Sequence, residues 1–309
     1  MQGSDRPWYR HIIRTGIRIL LGSKRAHYQD RLPGLSIRFD ASRKSPPRLF
    51  YKGGFVAELC SIETLRQQAS GVIHIVGSGP SIRQMDMALL PAKSTILLNG
   101  AISLLGDKVT VPLAVAIEDE RFIYRHFDGI MGRLPAGTIC LFSVSVLRAI
   151  CEKKSQWLAD KKIILIDNIL KPYGGARLSI DEVADRDHVV LNDDGTVGIS
   201  LQPDLGVFQA GSVAVSALQF ALACDVDTIG FIGIDISNAA QPRFYEKSEQ
   251  VAFSGVADAE ERILRHVRLA LTVAQGKNIQ LLNFSPVSAL AKLDLTYDPR
   301  LTLGVDDGV

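Results

Sequence analysis

The residues best suited to chemistry stand where apolar runs end. Gly77-Ser78-Gly79-Pro80-Ser81 follows directly on Val72-Ile73-His74-Ile75-Val76. A strand that feeds such a turn, and then a helix from Ile82, leaves backbone N–H groups free at the helix start. Those groups favour an anion, most often a phosphate. Pro80 suits a first helical turn, because its missing N–H would have been unpaired there. Gly77 and Gly79 permit a tight turn and close approach of a ligand. Asn99-Gly100, Glu118-Asp119-Glu120 and Ile234-Asp235 end three further apolar runs. Gln209-Ala210-Gly211-Ser212 opens a second helix start with small residues, also suited to an anion. Each has a plainer reading: a turn at Asn99, an N-cap at Ser212, a solvated helix start at 118–120, a cap at Asp235. Their shared position at strand ends argues for one site.

The elements that must position these residues alternate along the chain. Short, β-branched apolar runs predict strands at 72–76, 95–98, 113–117, 138–142, 162–166, 228–233 and 279–282. Helices are predicted at 82–90, 101–106, 120–131, 144–159, 211–224 and 258–275. Alternation of this kind predicts an α/β fold: a Rossmann-like, mostly parallel sheet with helices on both faces. Ligands of such sheets bind at the carboxyl ends of the strands. The domain is expected over residues 71–309, with a lid at about 236–257. Residues 31–70, punctuated by Pro33-Gly34, Ser45-Pro46-Pro47 and Gly53-Gly54, read as a connector.

Residues 1–30 read as a basic amphipathic arm. Met1–Gly54 holds twelve Lys/Arg against three acids, a net +9 on a chain of net +2, so the remainder carries −7. Between Trp8 and Leu21, Ile12, Ile13, Ile17 and Leu20 recur at helical spacing, and Arg10, Arg14 and Arg18 fall at i, i+4, i+8. A helix of this kind docks on an anionic membrane surface, or packs its apolar face on the domain. No aromatic-and-basic platform recurs along the body, so nucleic acid is not an expected partner. The four cysteines are scattered, without CxxC pairing, as in a reducing compartment. No apolar run reaches the ~20 residues of a membrane span. With no apolar signal region at the N-terminus, the expected location is cytoplasmic, peripheral on the inner membrane.

Several ligand classes are excluded. GxxxxGK[ST] is absent, so the glycine turn is not a P-loop. Ile82 stands where a dinucleotide fingerprint has its third glycine, and Asn99 where that fold has its ribose-binding acid. No Cys/His cluster has zinc spacing. The acidic triplet alone does not make a metal site, so no cofactor and no metal is expected. The remaining pattern resembles a known family. Gly77-x-Gly-Pro-Ser, Asn99, Gly211-Ser212 and Gly233-Ile234-Asp235 are similar, in order, to bacterial sialyltransferases that use CMP-sialic acid. The chain resembles still more the lipopolysaccharide core Kdo transferases of the WaaZ type. That likeness lies at Ser78-Gly79-Pro80, Asn99-Gly100, Asp119-x-Arg121-Phe122, Asp235, Arg243-Phe244-Tyr245 and Asn283-x-Ser285-Pro286, and covers roughly 71–290.

The resemblance implies transfer of Kdo (3-deoxy-manno-octulosonate) from a CMP-activated donor to the lipopolysaccharide core. It implies nucleotide binding by Gly77, Ser78, Gly79, Pro80, Ser81, Asn99, Gly211 and Ser212, with Ser212 placed for the sugar carboxylate. It further implies that Arg243 and Tyr245 steady the departing phosphate, and that Asp235 or Asp119 takes the acceptor proton. There are two departures from the sialyltransferases. The lid 237–257 lacks their histidine base, His266 lying further on, and Ser78 replaces their asparagine. The rival readings are a sialyl-type or other CMP-sugar transferase, an enzyme like the pterin pyrophosphokinases or the flagellin-modification proteins, and a non-catalytic nucleotide-binding protein of polysaccharide assembly.

Overall fold

The computed structural model describes residues 6–40, 45–235, 244 and 259–303. The lid expected at 236–257, with Arg243 and Tyr245, lies outside the described residues apart from Phe244. The strands are β1 (Leu35–Arg38), β2 (Arg48–Tyr51), β3 (Gly54–Cys60), β4 (Gly71–Val76), β5 (Thr95–Leu98), β6 (Ala114–Ile117), β7 (Ile139–Ser143), β8 (Lys162–Ile166), β9 (Val189–Leu191), β10 (Gly198–Ser200), β11 (Val226–Ile232), β12 (Gln280–Asn283) and β13 (Thr296–Tyr297). Eleven of them join one sheet in the order β1-β2-β3-β8-β7-β6-β5-β4-β11-β12-β13. From β3 to β13 every described pairing is parallel. The mostly parallel α/β sheet expected from the sequence is therefore the observed architecture.

The chain runs outward from β4 through β5, β6, β7 and β8, then returns to β11 on the other side of β4. The β4/β11 seam is thus the topological switch point, where open α/β sheets leave a crevice at the strands' carboxyl ends. Both faces of the sheet are covered, which is why its central strands read as unbroken apolar runs. Ile73, Ile75, Ala114, Ala116 and Leu141 pack toward α6 (Val213–Leu222) and α7 (Glu260–Gly276). Val76, Val115, Ile117, Cys140 and Phe142 pack on the other side with α3 (Glu120–His126) and α4 (Val144–Lys154).

Three expectations change. The stretch 31–70 is not a connector: β1, β2 and β3 form an antiparallel extension, and β3 joins β8 in parallel. Its Pro and Gly clusters fall at or just before the starts of these strands. The helix expected at 82–90 is two 3₁₀ turns, Pro80–Gln84 and Met87–Leu89. Met85 is extended between them, bridged to Thr302, and the Asp86 N–H donates to Leu301 O at 2.7 Å. That tertiary pairing overrides the local helical pattern. The helix expected at 101–106 is likewise a 3₁₀ segment, Asn99–Leu104.

The arm forms the expected helix, α1 (Tyr9–Leu21), but its faces are not disposed as lipid docking through charge would require. Arg10 points inward and is fully buried. Trp8, Ile12, Ile19 and Leu20 are exposed, at 74%, 62%, 77% and 78%. Among the described residues no helix is long and apolar enough to cross a membrane.

Candidate active site

Three loops lock together at the switch point. The N–H of Gly77 donates to Ile232 O at 2.8 Å and that of Gly79 to Gly233 O at 2.9 Å. Asp235 accepts from the Ser81 N–H and from Ser81 Oγ, each at 2.8 Å. Behind them, Ser285 Oγ accepts from the Gly233 N–H at 2.8 Å, and Asn283 braces Ser285 through its own amide. A Cβ at Gly77 would run into the Gly233 carbonyl, and one at Gly79 into the Asp235 carboxylate. Gly233 itself needs a left-handed φ of 62°. The two turn glycines are therefore required by chain against chain, whereas the sequence suggested close approach of a ligand. Phe244 returns to this knot, its N–H donating to Ser78 O at 3.4 Å.

Along the same sheet edge, beyond β5, opens a cavity of about 920 Å³. This is the upper range for a small-molecule site. Asn99 follows β5, Glu118 and Asp119 follow β6, Ser143 ends β7, and Asp167 follows β8, and all five line it. The N-termini of α4 and α6 open into it through Ser143–Ser145 and Gly211–Val213. Ser143 caps α4 by accepting from the Val146 N–H, and Ser212 caps α6 by accepting from the Ala214 N–H. Helix N-termini carry partial positive charge, so two of them aimed at one cavity favour an anionic guest. The 3₁₀ turn at Pro80–Gln84 is too short to add a comparable dipole.

Two buried oxygens in this cavity, Asn99 Oδ1 and Glu118 Oε1, have no hydrogen-bond partner among the described residues. A buried polar atom without a partner is uncommon in native proteins, and a bound ligand is one way to satisfy it. Asn99 is also held at a left-handed φ of 46°, so its position is imposed by the fold. Burial pushes the Glu118 carboxyl up to about 7, with Ser216 and Gln209 pulling the other way and Asp119 adding to the rise. Asp167 is raised by burial to about 6, its oxygens accepting from the Tyr173 and Asn168 N–H groups. Asp119 goes the opposite way. Burial alone would raise it, but Arg121, donating from its backbone and side chain, takes it below the ordinary aspartate value.

The N-terminal segment supplies one wall. Arg6, Arg14 and Arg18 line the cavity, facing Arg121, Arg125, Lys171 and Arg177. The segment is pinned by a buried network. Arg10 donates to Leu32 O at 2.5 Å and Gln29 O at 3.0 Å, and lies 3.6 Å from Glu120. Glu120 also pairs with Arg6 at 2.5 Å and with Arg148, which is fully buried and bonds Glu152 at 2.5 Å. Tyr9 and Tyr124 both donate to Glu152.

Of the residues singled out from sequence, Asn99, Asp119, Gly211 and Ser212 meet in the cavity wall. Gly77, Ser78, Gly79, Pro80, Ser81 and Asp235 form the adjoining knot and are not part of that wall. Asp235 is only 7% exposed and accepts two hydrogen bonds from Ser81, so it latches the turn. His266 is buried on α7 with Nδ1 on Arg262 O at 2.7 Å, outside the cavity wall. Sequence reasoning missed Glu118 as a singular group, because the triplet 118–120 gives no sign of which carboxylate turns inward. Strand parity was the available signal: Ala114, Ala116 and Glu118 share one face. Among the described residues no group of His, Cys, Asp and Glu is arranged to hold a metal.

The family model described as 3-deoxy-D-manno-octulosonic acid transferase WaaZ matches residues 56–295. No curated protein matches the chain. Solved structures with similarity include the sialyltransferase CstII from Campylobacter jejuni in complex with the substrate analogue CMP-3FNeuAc. It is 13% identical at a TM-score of 0.38, over 75% of this chain and 88% of that one. The sialyltransferase CST-II with trisaccharide acceptor and CMP is 15% identical at 0.39, over 76% and 88%. An apo α-2,3-sialyltransferase from Campylobacter jejuni is 12% identical at 0.33, over 74% and 83%.

Proposed function

Because the chain belongs to the 3-deoxy-D-manno-octulosonic acid transferase WaaZ family, we propose that it transfers Kdo from CMP-Kdo to the inner core of lipopolysaccharide. As a member of that family it is a glycosyltransferase, and a CMP-sugar is the donor that suits the site. The observation that carries the reading is a cavity where two helix starts favour an anion and two buried acceptors, Glu118 Oε1 and Asn99 Oδ1, have no partner among the described residues and suit a ligand's hydroxyl or N–H donors. The nucleotide lies toward the β4/β11 crevice, beside Gly77–Ser81. Gly211 and Ser212, at the start of α6, take the donor's carboxylate or phosphate.

In the transfer, the acceptor oxygen bonds to the anomeric carbon as the bond from that carbon to the CMP phosphate oxygen breaks. The acceptor hydroxyl gives its proton to Glu118, and CMP departs with the electron pair. Donors fixed before the reaction stabilise the leaving phosphate without reorganising, which is the largest contribution available to such a site. Arg243 and Tyr245 are assigned to that phosphate on the family resemblance alone. Asp119, tied to Arg121, orients the cavity wall. The decisive test supplies CMP-Kdo and a lipopolysaccharide core acceptor and looks by mass spectrometry for an added Kdo and free CMP. Transfer from CMP-sialic acid alone would redirect the reading to a sialyl-type enzyme. No transfer from either donor would favour a binding protein.

Such an acceptor is lipid-linked, which suits a cytoplasmic enzyme held peripherally at the inner membrane. Support comes from the exposed Trp8, Ile12, Ile19 and Leu20 on α1, an apolar strip rimmed by basic residues. With Arg10 buried and Arg14 and Arg18 at the cavity, the strip carries more of the binding than charge does. We expect Ile12→Ser/Ile19→Ser to abolish most co-sedimentation with anionic vesicles, while raising salt weakens the wild type only in part. Unchanged sedimentation of that variant would remove the apolar strip from the account.

A further inference from the structure

The cations of the cavity are not evenly used. Arg121 and Arg6 are tied to Asp119 and Glu120. Arg14 and Arg18 of α1, with Lys171 and Arg177 from the segment after β8, have no ion-pair partner within 4.0 Å among the described residues. All four are exposed and all four line the same cavity. Like charges that line one cavity of about 920 Å³ repel one another. Asp30, a half-buried acid of the same cavity, feels Lys171 and Arg14 at longer range, and one acid does not balance four cations. A concave site with that excess gains most when several anionic groups enter at once.

In the transferase reading the donor's carboxylate and phosphate go to the helix start at Gly211-Ser212 and to Arg243 and Tyr245, which leaves these four cations without a role in holding the donor. We propose that Arg14, Arg18, Lys171 and Arg177 form a subsite for a multiply anionic saccharide, one bearing phosphate or carboxylate groups, and that this is the acceptor. The assignment rests on the transferase reading for the word acceptor, but the subsite itself is a matter of charge and shape. It also gives the arm a role: α1 completes the binding site.

The test uses the full-length chain and a deacylated lipopolysaccharide inner-core oligosaccharide as probe, in three forms: intact, phosphatase-treated and carboxyl-reduced. Binding is measured by calorimetry without donor, and transfer is measured separately with CMP-Kdo. Arg14→Gln/Arg18→Gln alters two exposed side chains outside the buried network, and a circular-dichroism melt checks its fold. We expect intact-oligosaccharide affinity and acceptor KM to worsen by about tenfold or more, since charged hydrogen bonds are the strong ones. CMP affinity should stay within about twofold, by the same reasoning. Lys171→Gln/Arg177→Gln should act in the same direction. Whichever trimmed oligosaccharide loses affinity identifies phosphate or carboxylate as the group bound. Undiminished oligosaccharide binding by both double variants overturns the subsite, whether or not transfer is observed. So does a loss confined to vesicle binding, which would place these cations on lipid. Weakened binding without any transfer in the wild type would keep the subsite and remove the transferase reading.

Discussion

Glu118→Gln is expected to lower transfer by roughly 10²–10⁴-fold while CMP binding, measured by calorimetry, stays near wild type. The substitution keeps the shape of the side chain and removes its capacity to take a proton. With the Glu118 carboxyl raised to about 7 by burial, the base is only partly ionised near neutrality. Wild-type kcat/KM should therefore climb as pH rises through about 7 and then level off, and the variant's residual rate should lose that acid limb. Stability runs the other way. Between the unfolded value near 4.5 and the folded value near 7 the native state keeps a proton that the unfolded chain releases. Folding free energy therefore falls as pH rises across that window. Glu118→Gln escapes this loss, so above pH 7 it should be the more stable protein. A variant that is inactive at every pH and also less stable would point to a structural role. Asp119→Asn and Asp235→Asn provide the contrast. The first should cost little rate, because Arg121 already holds Asp119 as a poor proton acceptor. The second should act first on folding, through the Ser81 latch.

Glu120→Ala is expected to cost about 3–5 kcal/mol of stability in urea unfolding, because it leaves buried cations uncompensated. Glu120 is 3% exposed and is shared by Arg6, Arg10 and Arg148, of which the last two are fully buried. Glu120→Gln retains hydrogen bonding and should lose less. In both variants the arm should become more sensitive to limited proteolysis, since Arg10 is its anchor. A loss under about 1 kcal/mol, the range of exposed pairs, would mean that water compensates these charges.

The sheet was legible because parallel strands buried on both faces need uninterrupted apolar runs. Val72–Val76, Thr95–Leu98 and Lys162–Ile166 advertise themselves in that way. The antiparallel extension does not: β1, β2 and β3 lie among Pro and Gly pairs and read as loop. The 3₁₀ turns after β4 were read as a helix because their apolar spacing fits one. The extended residue at Met85 is imposed by Thr302 and Leu301, more than two hundred positions away. Site residues were legible as positions and less so as roles. That Asn99, Asp119, Gly211 and Ser212 belong together follows from strand ends alone. That Asp235 is consumed by Ser81 depends on how two loops interlock, which no local pattern records. The arm's charge was visible as an excess of arginines, but not the direction in which they point.

The two sides of α1 have a geometric consequence. Trp8, Ile12 and Ile19 face away from the body, while Arg14 and Arg18 face the cavity. An α-helix with its side chains is about 10–12 Å thick. On the proposed docking, with the apolar strip in the headgroup layer, this helix would act as a spacer, setting the cavity wall one helix thickness from the lipid. A glycan entering from that surface would be read within its first few sugars. Extension far from the lipid would lie out of reach, so the thickness of one helix would choose which sugar is modified.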